Sequence, residues 1–209
     1  MAFASGLARY GVQNMIDPAT EAALVDRCRK NDYEAFGKLV DAYQNRVFGF
    51  VRRMVSNADE AADVTQEVFI RAYQSFVRFD GRSSVRTWLF RIAYNLCVDR
   101  ARKTNRTPSE LSFAGTQEGD EDFEVADLRW TPEQIALNEE LQGVVEKGIL
   151  SMSEKLRSVL LLHDREDLPY EDIAQALDLP VGTVKSRLFL ARAHLQKVLN
   201  EYFGEANHA

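Results

Sequence analysis

Cys28 and Cys97 are the only cysteines in the 209 residues, and the three histidines are scattered. Without a CxxC spacing or a His/Cys cluster, neither a disulfide framework nor a structural zinc site is indicated, and a reducing cytoplasm fits this composition. Long apolar runs are equally scarce. The longest, such as Val159 to Leu162, fall far short of the roughly 18 residues a bilayer-spanning helix needs, so no direct membrane insertion is expected. Arg9 and Tyr10 stand where a signal peptide would place its apolar stretch, and export is not expected. A Walker-type phosphate loop, HExxH and GxSxG are all missing, so catalysis has no evident seat, and neither a metal nor another cofactor is expected.

What is present is charge arranged in blocks. The net charge of −6 is that of an ordinary acidic protein. Yet residues 21–107 carry an excess of five positive charges, and residues 108–150 an excess of nine negative ones. Such a split separates a candidate polyanion-binding half from an acidic segment. The length allows one to two domains, each able to bury a core without cross-links.

From Asp32 to Lys103, Gly and Pro are sparse and apolar residues recur at helical spacing, so this region is read as all-α. Leu39, Val40, Tyr43, Val47, Phe50, Val51 and Met54 form one stripe of a helix that Asp32 can cap. A second helix, about Asp59–Phe76, buries Ala61, Val68, Ala72 and Phe76. A third, about Ser84–Lys103, buries Val85, Leu89, Ile92 and Leu96. Periodicity then stops: residues 104–130 contain Pro108, Gly115, Gly119 and seven acids against Arg106 and Arg129, the composition of a solvated linker and the expected first site of proteolysis. Thr131-Pro132-Glu133-Gln134 has the pattern of a helix start. Helices are expected at about 132–150, 153–164, 170–177 and 181–202, the last burying Val184, Leu188, Ala191, Leu195 and Leu199. The whole is all-α: two small helical domains, residues 21–103 and 131–203, joined by a flexible acidic linker, with residues 1–20 as an extension expected to be disordered and 204–209 as a tail.

Three segments carry chemistry. Tyr170–Leu177, the break Asp178-Leu179-Pro180, and a longer helix from Val181 make a helix-turn-helix whose second helix can enter a major groove. With the apolar series on one side, Lys185, Phe189 and Arg192 line another, where truncating Lys185 or Arg192 should hardly change stability. Thr183 and Ser186 can bond phosphates or base edges, and Lys and Arg, Arg187 included, supply charge. An ordinary helical hairpin with a solvated charged face is the competing reading. The second segment, Arg82 to Arg106, holds seven basic residues and one acid, Asp99, interleaved with Trp88, Phe90 and Tyr94. Positive charge attracts a phosphate backbone and aromatic faces stack on unpaired bases, although Trp88 fits a core position equally well. In the third, Asp63, Gln66, Glu67 and Ile70 share a face off the buried stripe and can dock a partner. Carboxylates at i and i+4 can also share a divalent ion, but the facing helix offers only Asp99.

In this order, with the acidic linker between, the segments resemble the extracytoplasmic-function, sigma-E-like group of bacterial sigma factors over about residues 21–203. Asp63-Val64-Thr65-Gln66-Glu67-Val68-Phe69 is similar to the family's core-docking helix. Trp88-Leu89-Phe90-Arg91-Ile92-Ala93-Tyr94-Asn95 is similar to its promoter-melting helix, and Gly182-Thr183-Val184-Lys185-Ser186-Arg187-Leu188 to its second DNA-reading helix. The resemblance makes residues 21–103 sigma region two and 131–203 sigma region four. It implies that Asp63, Gln66, Glu67 and Ile70 bind the clamp helices of the largest subunit of core RNA polymerase, with the flap as a further contact. It implies that Arg82, Ser83 and Ser84 capture a flipped base of the minus-ten element, with Arg86, Trp88, Arg91 and Asn95 on the adjoining helix. Tyr170, Glu171, Lys185, Ser186, Phe189 and Arg192, in the segment that also holds Thr183 and Arg187, match positions facing the minus-thirty-five element. Leu190 departs from the basic residue many members carry there. An acidic linker threading the RNA exit channel, an anti-sigma partner and a cytoplasmic location follow from the same resemblance.

Two other readings remain. A LuxR-type regulator shares the Gly-Thr-Val-Lys-Ser segment, but its partner domain usually contains a sheet. An all-α metal-dependent phosphohydrolase requires a carboxylate cluster facing Asp63 and Glu67.

Overall fold

Asp17 and Pro18 start the first helix. The Asp17 carboxylate accepts from the backbone N–H of Ala19 and Thr20 at 3.1 and 3.0 Å, and Pro18 supplies a pre-set φ where no intrahelical donor is needed. A computed structural model describes residues 16–55, 57–104 and 139–206, and among these it contains eight α-helices and no strand. We number them α1 (Pro18–Cys28), α2 (Tyr33–Met54), α3 (Ala58–Ser75), α4 (Val85–Thr104), α5 (Glu139–Ser151), α6 (Glu154–Leu160), α7 (Tyr170–Leu177) and α8 (Val181–Ala206). The expected boundary at residue 21 therefore falls inside α1, which buries Leu24, Val25 and Cys28 against α2. The remainder of the expected extension and linker lies outside the described residues, as does the capping sequence at 131–134.

The first domain is α1–α4. Asp32 caps α2 through the Ala35 N–H at 3.1 Å, and Asn57 caps α3 through the Asp59 N–H at 2.9 Å. The expected stripes are buried except at Val40, which is half-buried: Leu39, Tyr43, Val47, Phe50, Val51 and Met54 on α2, and Ala61, Val68 and Ala72 on α3, joined by Val64. On α4 the stripe is wider than the spacing suggests. Val85, Leu89 and Leu96 are buried, Ile92 is only half-buried, and Phe90, Ala93 and Cys97 fill the core instead. Phe90 meets Phe50 edge-on at 5.4 Å, which fixes the crossing of α4 over α2.

The second domain is α5–α8. The stretch expected as one helix at 153–164 is α6 followed by a π-helical turn, Leu161–Arg165, closed by the Glu166 N–H on the Leu161 carbonyl at 3.2 Å. Between α7 and α8, Asp178 adopts left-handed φ 55°, and the Leu179 N–H returns to the Ala174 carbonyl at 2.9 Å. That is a Schellman-type stop with Asp in the place glycine usually takes. The α8 series Val184, Leu188, Ala191, Leu195 and Leu199 is buried throughout, and α8 continues to Ala206, into the expected tail.

The domains pack on each other, α4 against α7 and α2 against α5 and α6. Arg157 illustrates the join: it donates to the Ile149, Leu150 and Met152 carbonyls at the C-terminus of α5, and across the domain boundary to the Arg53 carbonyl at 2.9 Å. Arg46 Nε donates to Glu166 Oε2 at 2.7 Å with both side chains largely buried. Arg53 grips Glu146 through Nε at 3.0 Å and Nη2 at 2.7 Å, and Arg165 closes on the same carboxylate.

These carboxylates titrate in opposite directions. Burial alone would raise Glu146, but its hydrogen bonds and charge contacts with Arg53 and Arg165 bring it below the usual range. Burial dominates at Glu166, which is pushed up to about 6 against the pull of Arg46 and Arg86. The folded chain thus holds the Glu166 proton more tightly than the unfolded chain does, so this contribution weakens as pH rises from the ordinary 4.5 through about 6. Thermal melts of wild type and Glu166→Gln at pH 5 and pH 7 should show wild type losing stability relative to the variant as pH rises. Parallel pH profiles would refute the assignment.

Candidate functional site

On α3 the stripe Ala61, Val64, Val68 and Ala72 turns inward, and this leaves Asp63, Gln66 and Ile70 exposed with Glu67 at the edge of the same face. Glu67 pairs with Arg71 one turn on at 2.7 Å. Beside them α2 and α3 leave an open groove of about 630 Å³, lined by Phe36, Val40, Phe48, Gln66, Phe69 and Ile70 among others. Ile70 and Phe48 are 44% and 40% exposed at its rim. The structure thus joins the four α3 residues to an apolar trough from α2 that their spacing alone does not reveal. A divalent-metal site would need further carboxylates beside Asp63 and Glu67, and the lining of the adjoining groove supplies none. Among the described residues, no group of three His, Cys, Asp or Glu side chains is placed to hold a metal ion.

The loop before α4 is braced from beneath. Arg29 donates to the Phe79 carbonyl at 3.1 Å and lies over the Phe79 ring, and the Asp80 carboxylate accepts from the Arg82 N–H at 3.0 Å. Gly81, at φ 75°, makes the turn. Arg82 projects with 86% of its side chain exposed, and Ser83 is half-buried beside it. Ser84 serves the helix itself, since its Oγ accepts the Thr87 N–H at 3.0 Å and so caps α4. Trp88 is half-buried and packs on Phe76 and Phe79 at 5.4 and 4.9 Å, so part of this ring belongs to the core. Arg91 and Asn95 are exposed; Arg86 is half-buried near Glu166. Thr87, unremarked in the sequence, is 1% exposed and donates from Oγ1 to Asp172 of α7 at 3.0 Å. The basic helix of one domain is thereby fastened to the helix-turn-helix of the other.

On the second domain, Glu171, Lys185 and Ser186 are exposed, while Tyr170, Thr183, Arg187 and Phe189 are half-buried. Ser186 Oγ returns to the Thr183 carbonyl at 3.1 Å. Arg192 does not stand on a free solvated face. Its Nη2 donates to Asp164 at 2.6 Å, and Asp164 is 3% exposed. Burial would raise Asp164, but His163 and Arg192 hold it below the usual carboxylate range. Arg192→Ala should therefore not be neutral, as the helical spacing suggests, but should cost about 2 kcal/mol, below the full penalty for breaking a buried pair because the arginine is partly exposed. Urea unfolding checks this; an unchanged midpoint would restore the solvated-face reading.

The arrangement can dock a helical or charged partner on α3, hold single-stranded DNA at the Arg82 loop and enter a groove with α8. No helix among the described residues is long and apolar enough to cross a membrane. Comparison with known proteins accords with this division. Residues 39–107 match the sigma-70 region 2 family and residues 143–195 match sigma-70, region 4. The RNA polymerase sigma-H factor of Pseudomonas aeruginosa is 37% identical over 194 residues, covering 92% of this chain and 100% of its own. The extracytoplasmic-function (ECF) RNA polymerase sigma-E factor of Escherichia coli is 38% identical over 180 residues, covering 85% and 93%. Among solved structures, the sigma factor RpoE in complex with the anti-sigma factor NepR from Bartonella quintana superposes with a TM-score of 0.59 at 22% identity, covering 79% of this chain and 96% of that one, a likeness of fold. The matches to sigma-70 regions in both domains decide for the sigma-factor reading over the LuxR-type and phosphohydrolase ones. The chain belongs to the sigma-70 family, in its extracytoplasmic-function group, and is a sigma factor that directs promoter-specific transcription.

Proposed function

We propose that three surfaces divide the work of this sigma factor. Asp63, Gln66, Glu67 and Ile70, with the adjoining groove, dock the clamp helices of core polymerase. Arg82 and Ser83, with Arg86, Trp88, Arg91 and Asn95, engage the minus-ten element. Tyr170, Glu171, Thr183, Lys185, Ser186, Arg187 and Phe189 face the minus-thirty-five element, and Arg192 holds Asp164 at the edge of that surface. The chain contributes no catalytic group of its own and acts in the cytoplasm. The observation that carries this reading is the Asp80–Ser84 loop, a braced and exposed turn at the start of a basic helix. A base flipped out of its stack exposes its Watson–Crick edge, and a rigid polar loop can offset the unstacking cost of a few kcal/mol.

Since Ser84 caps α4, the informative variant is Arg82→Ala with Ser83→Ala, which spares the cap. In holoenzyme, this variant should keep closed-complex affinity within about threefold and lower permanganate reactivity of minus-ten thymines by roughly tenfold or more. Undiminished thymine reactivity would leave the arginines as a general phosphate rim. An anti-sigma protein as a further partner is supported by the neighbour solved with one, and affinity capture from the native cell, recovering polymerase alone, would count against it.

A further inference from the structure

We propose that His163 is a positioning residue for promoter reading: from the π-helical turn it holds Tyr170, and through Tyr170 the Lys185 ammonium, in the pose that meets the minus-thirty-five element. The proposal rests on Tyr170 and Lys185 facing DNA.

Four side chains form a chain of contacts running outward from the core. Asp164 is its anchor, 3% exposed and gripped by Arg192 at 2.6 Å. His163 Nδ1 lies 2.7 Å from Asp164 Oδ1. Arg192 Nη2 also comes within 3.3 Å of Nδ1, but it donates to Asp164 at 2.6 Å, and an ionised carboxylate only accepts, so the shorter contact puts the proton on Nδ1 and sets the imidazole plane. The imidazole stacks on the Tyr170 ring, with centroids 5.0 Å apart and planes 22° from parallel. Over Tyr170, the Lys185 Nζ sits 5.8 Å from the centroid, within cation–π range.

Exposure rises outward: Asp164 is buried, His163 and Tyr170 are half-buried, and Lys185 is open to solvent. A lysine has four rotatable bonds to immobilise before it can read a base, and seating its ammonium over a fixed ring removes part of that cost in advance. The ring is fixed only if something flat lies beneath it, and that is the imidazole. The π turn makes this possible. With five residues spanning the turn instead of the α-helical repeat, Asp164 faces inward while its neighbour His163 reaches the first residue of α7. Two positions on α8, seven residues apart in its N-terminal half, are tied to one point, Arg192 to Asp164 directly and Lys185 to His163 through Tyr170.

The test uses holoenzyme and a promoter selected by run-off transcription from a library, together with its single-base variants in the minus-thirty-five element. A lysine contact to a base edge supports discrimination of roughly fivefold to a hundredfold. His163→Ala should reduce discrimination at one position by roughly fivefold with the minus-ten opening signal unchanged; it and His163→Phe both lose the bond to buried Asp164 and should melt somewhat lower, so discrimination is compared at a temperature where both remain folded. His163→Phe keeps a flat ring under Tyr170 without the polar nitrogens and should restore discrimination to within twofold of wild type. Wild-type discrimination in His163→Ala, alongside its loss in Tyr170→Ala and Lys185→Ala, would overturn the positioning role while leaving the reading of the surface intact. Wild-type discrimination in all three would overturn both. If His163→Phe fails to rescue and His163→Ala loses affinity equally on every sequence, with a smaller salt slope, His163 touches phosphate itself and the positioning role is refuted.

Discussion

Reversing Asp63 and Glu67 together to lysine should abolish co-purification with core polymerase and leave the helical fold intact. Asp63 is exposed on the outer face of α3, and Glu67 has Arg71 as an i+4 partner. A surface pair of that kind is worth about 0–1 kcal/mol, and lysine beside Arg71 adds a like-charge cost of a few tenths. The apolar residues that hold α3 in place, Ala61, Val64, Val68 and Ala72, are untouched. At the docking surface the balance is different, because reversing two charges that face a complementary partner costs roughly 2–5 kcal/mol, or about thirtyfold to several thousandfold in affinity. Circular dichroism should match wild type, and a fluorescence titration with core polymerase should show the loss. Wild-type affinity would remove α3 from the interface and return the apolar groove to a feature of packing.

The residues behind that prediction were legible in the sequence, as were those of α8, because both helices are governed by local periodicity. Val184, Leu188, Ala191, Leu195 and Leu199 recur at three and four residues, and a 26-residue helix has only one way to bury them together. Helix α1 was not read from the sequence: Leu24, Val25 and Cys28 make a short stripe beside the longer ones, and its start at Asp17-Pro18 falls inside the extension expected to be disordered. Arg192 shows where periodicity stops helping. Helical spacing reports where its Cβ points, whereas the guanidinium turns back to Asp164, whose burial depends on a π turn that breaks the 3.6-residue repeat. The groove beside α3 and the Arg46–Glu166 pair were out of reach for another reason. They join residues far apart in the chain, 120 positions for that pair, and no spacing rule connects them.

That pair leads to the second large effect: Arg46→Glu should open the free chain, and the exchange Arg46→Glu with Glu166→Arg should close it again. Arg46 and Glu166 are 15% and 10% exposed, and their contact at 2.7 Å joins α2 of the first domain to the end of the π turn in the second. Glu166, already pushed up to about 6 beside Arg46, then faces a second carboxylate, so one of the two must take up a proton or stay buried and unpaired, and breaking a buried pair in this way costs about 3–5 kcal/mol. The Thr87–Asp172 and Arg157–Arg53 hydrogen bonds, the Arg53–Glu146 pair and the α4–α7 packing remain to resist opening. Each polar contact is worth roughly 1–2 kcal/mol, so the reversal should shift the chain toward the open state in competition with them. The consequence for function is geometric. Elements centred near minus ten and minus thirty-five lie about 25 base pairs apart, roughly 85 Å of duplex at about 3.4 Å per pair. With α4 packed on α7, the two proposed reading surfaces cannot reach both elements at once, so on that proposal promoter engagement requires the domains to separate. Small-angle scattering should give a larger radius of gyration for Arg46→Glu than for wild type, and the free variant should bind a minus-thirty-five duplex more tightly. The double exchange should return both readings to wild type, because it rebuilds the ion pair with its charges swapped. A wild-type scattering curve for Arg46→Glu would show that the apolar α4–α7 contact holds the domains without the ion pair.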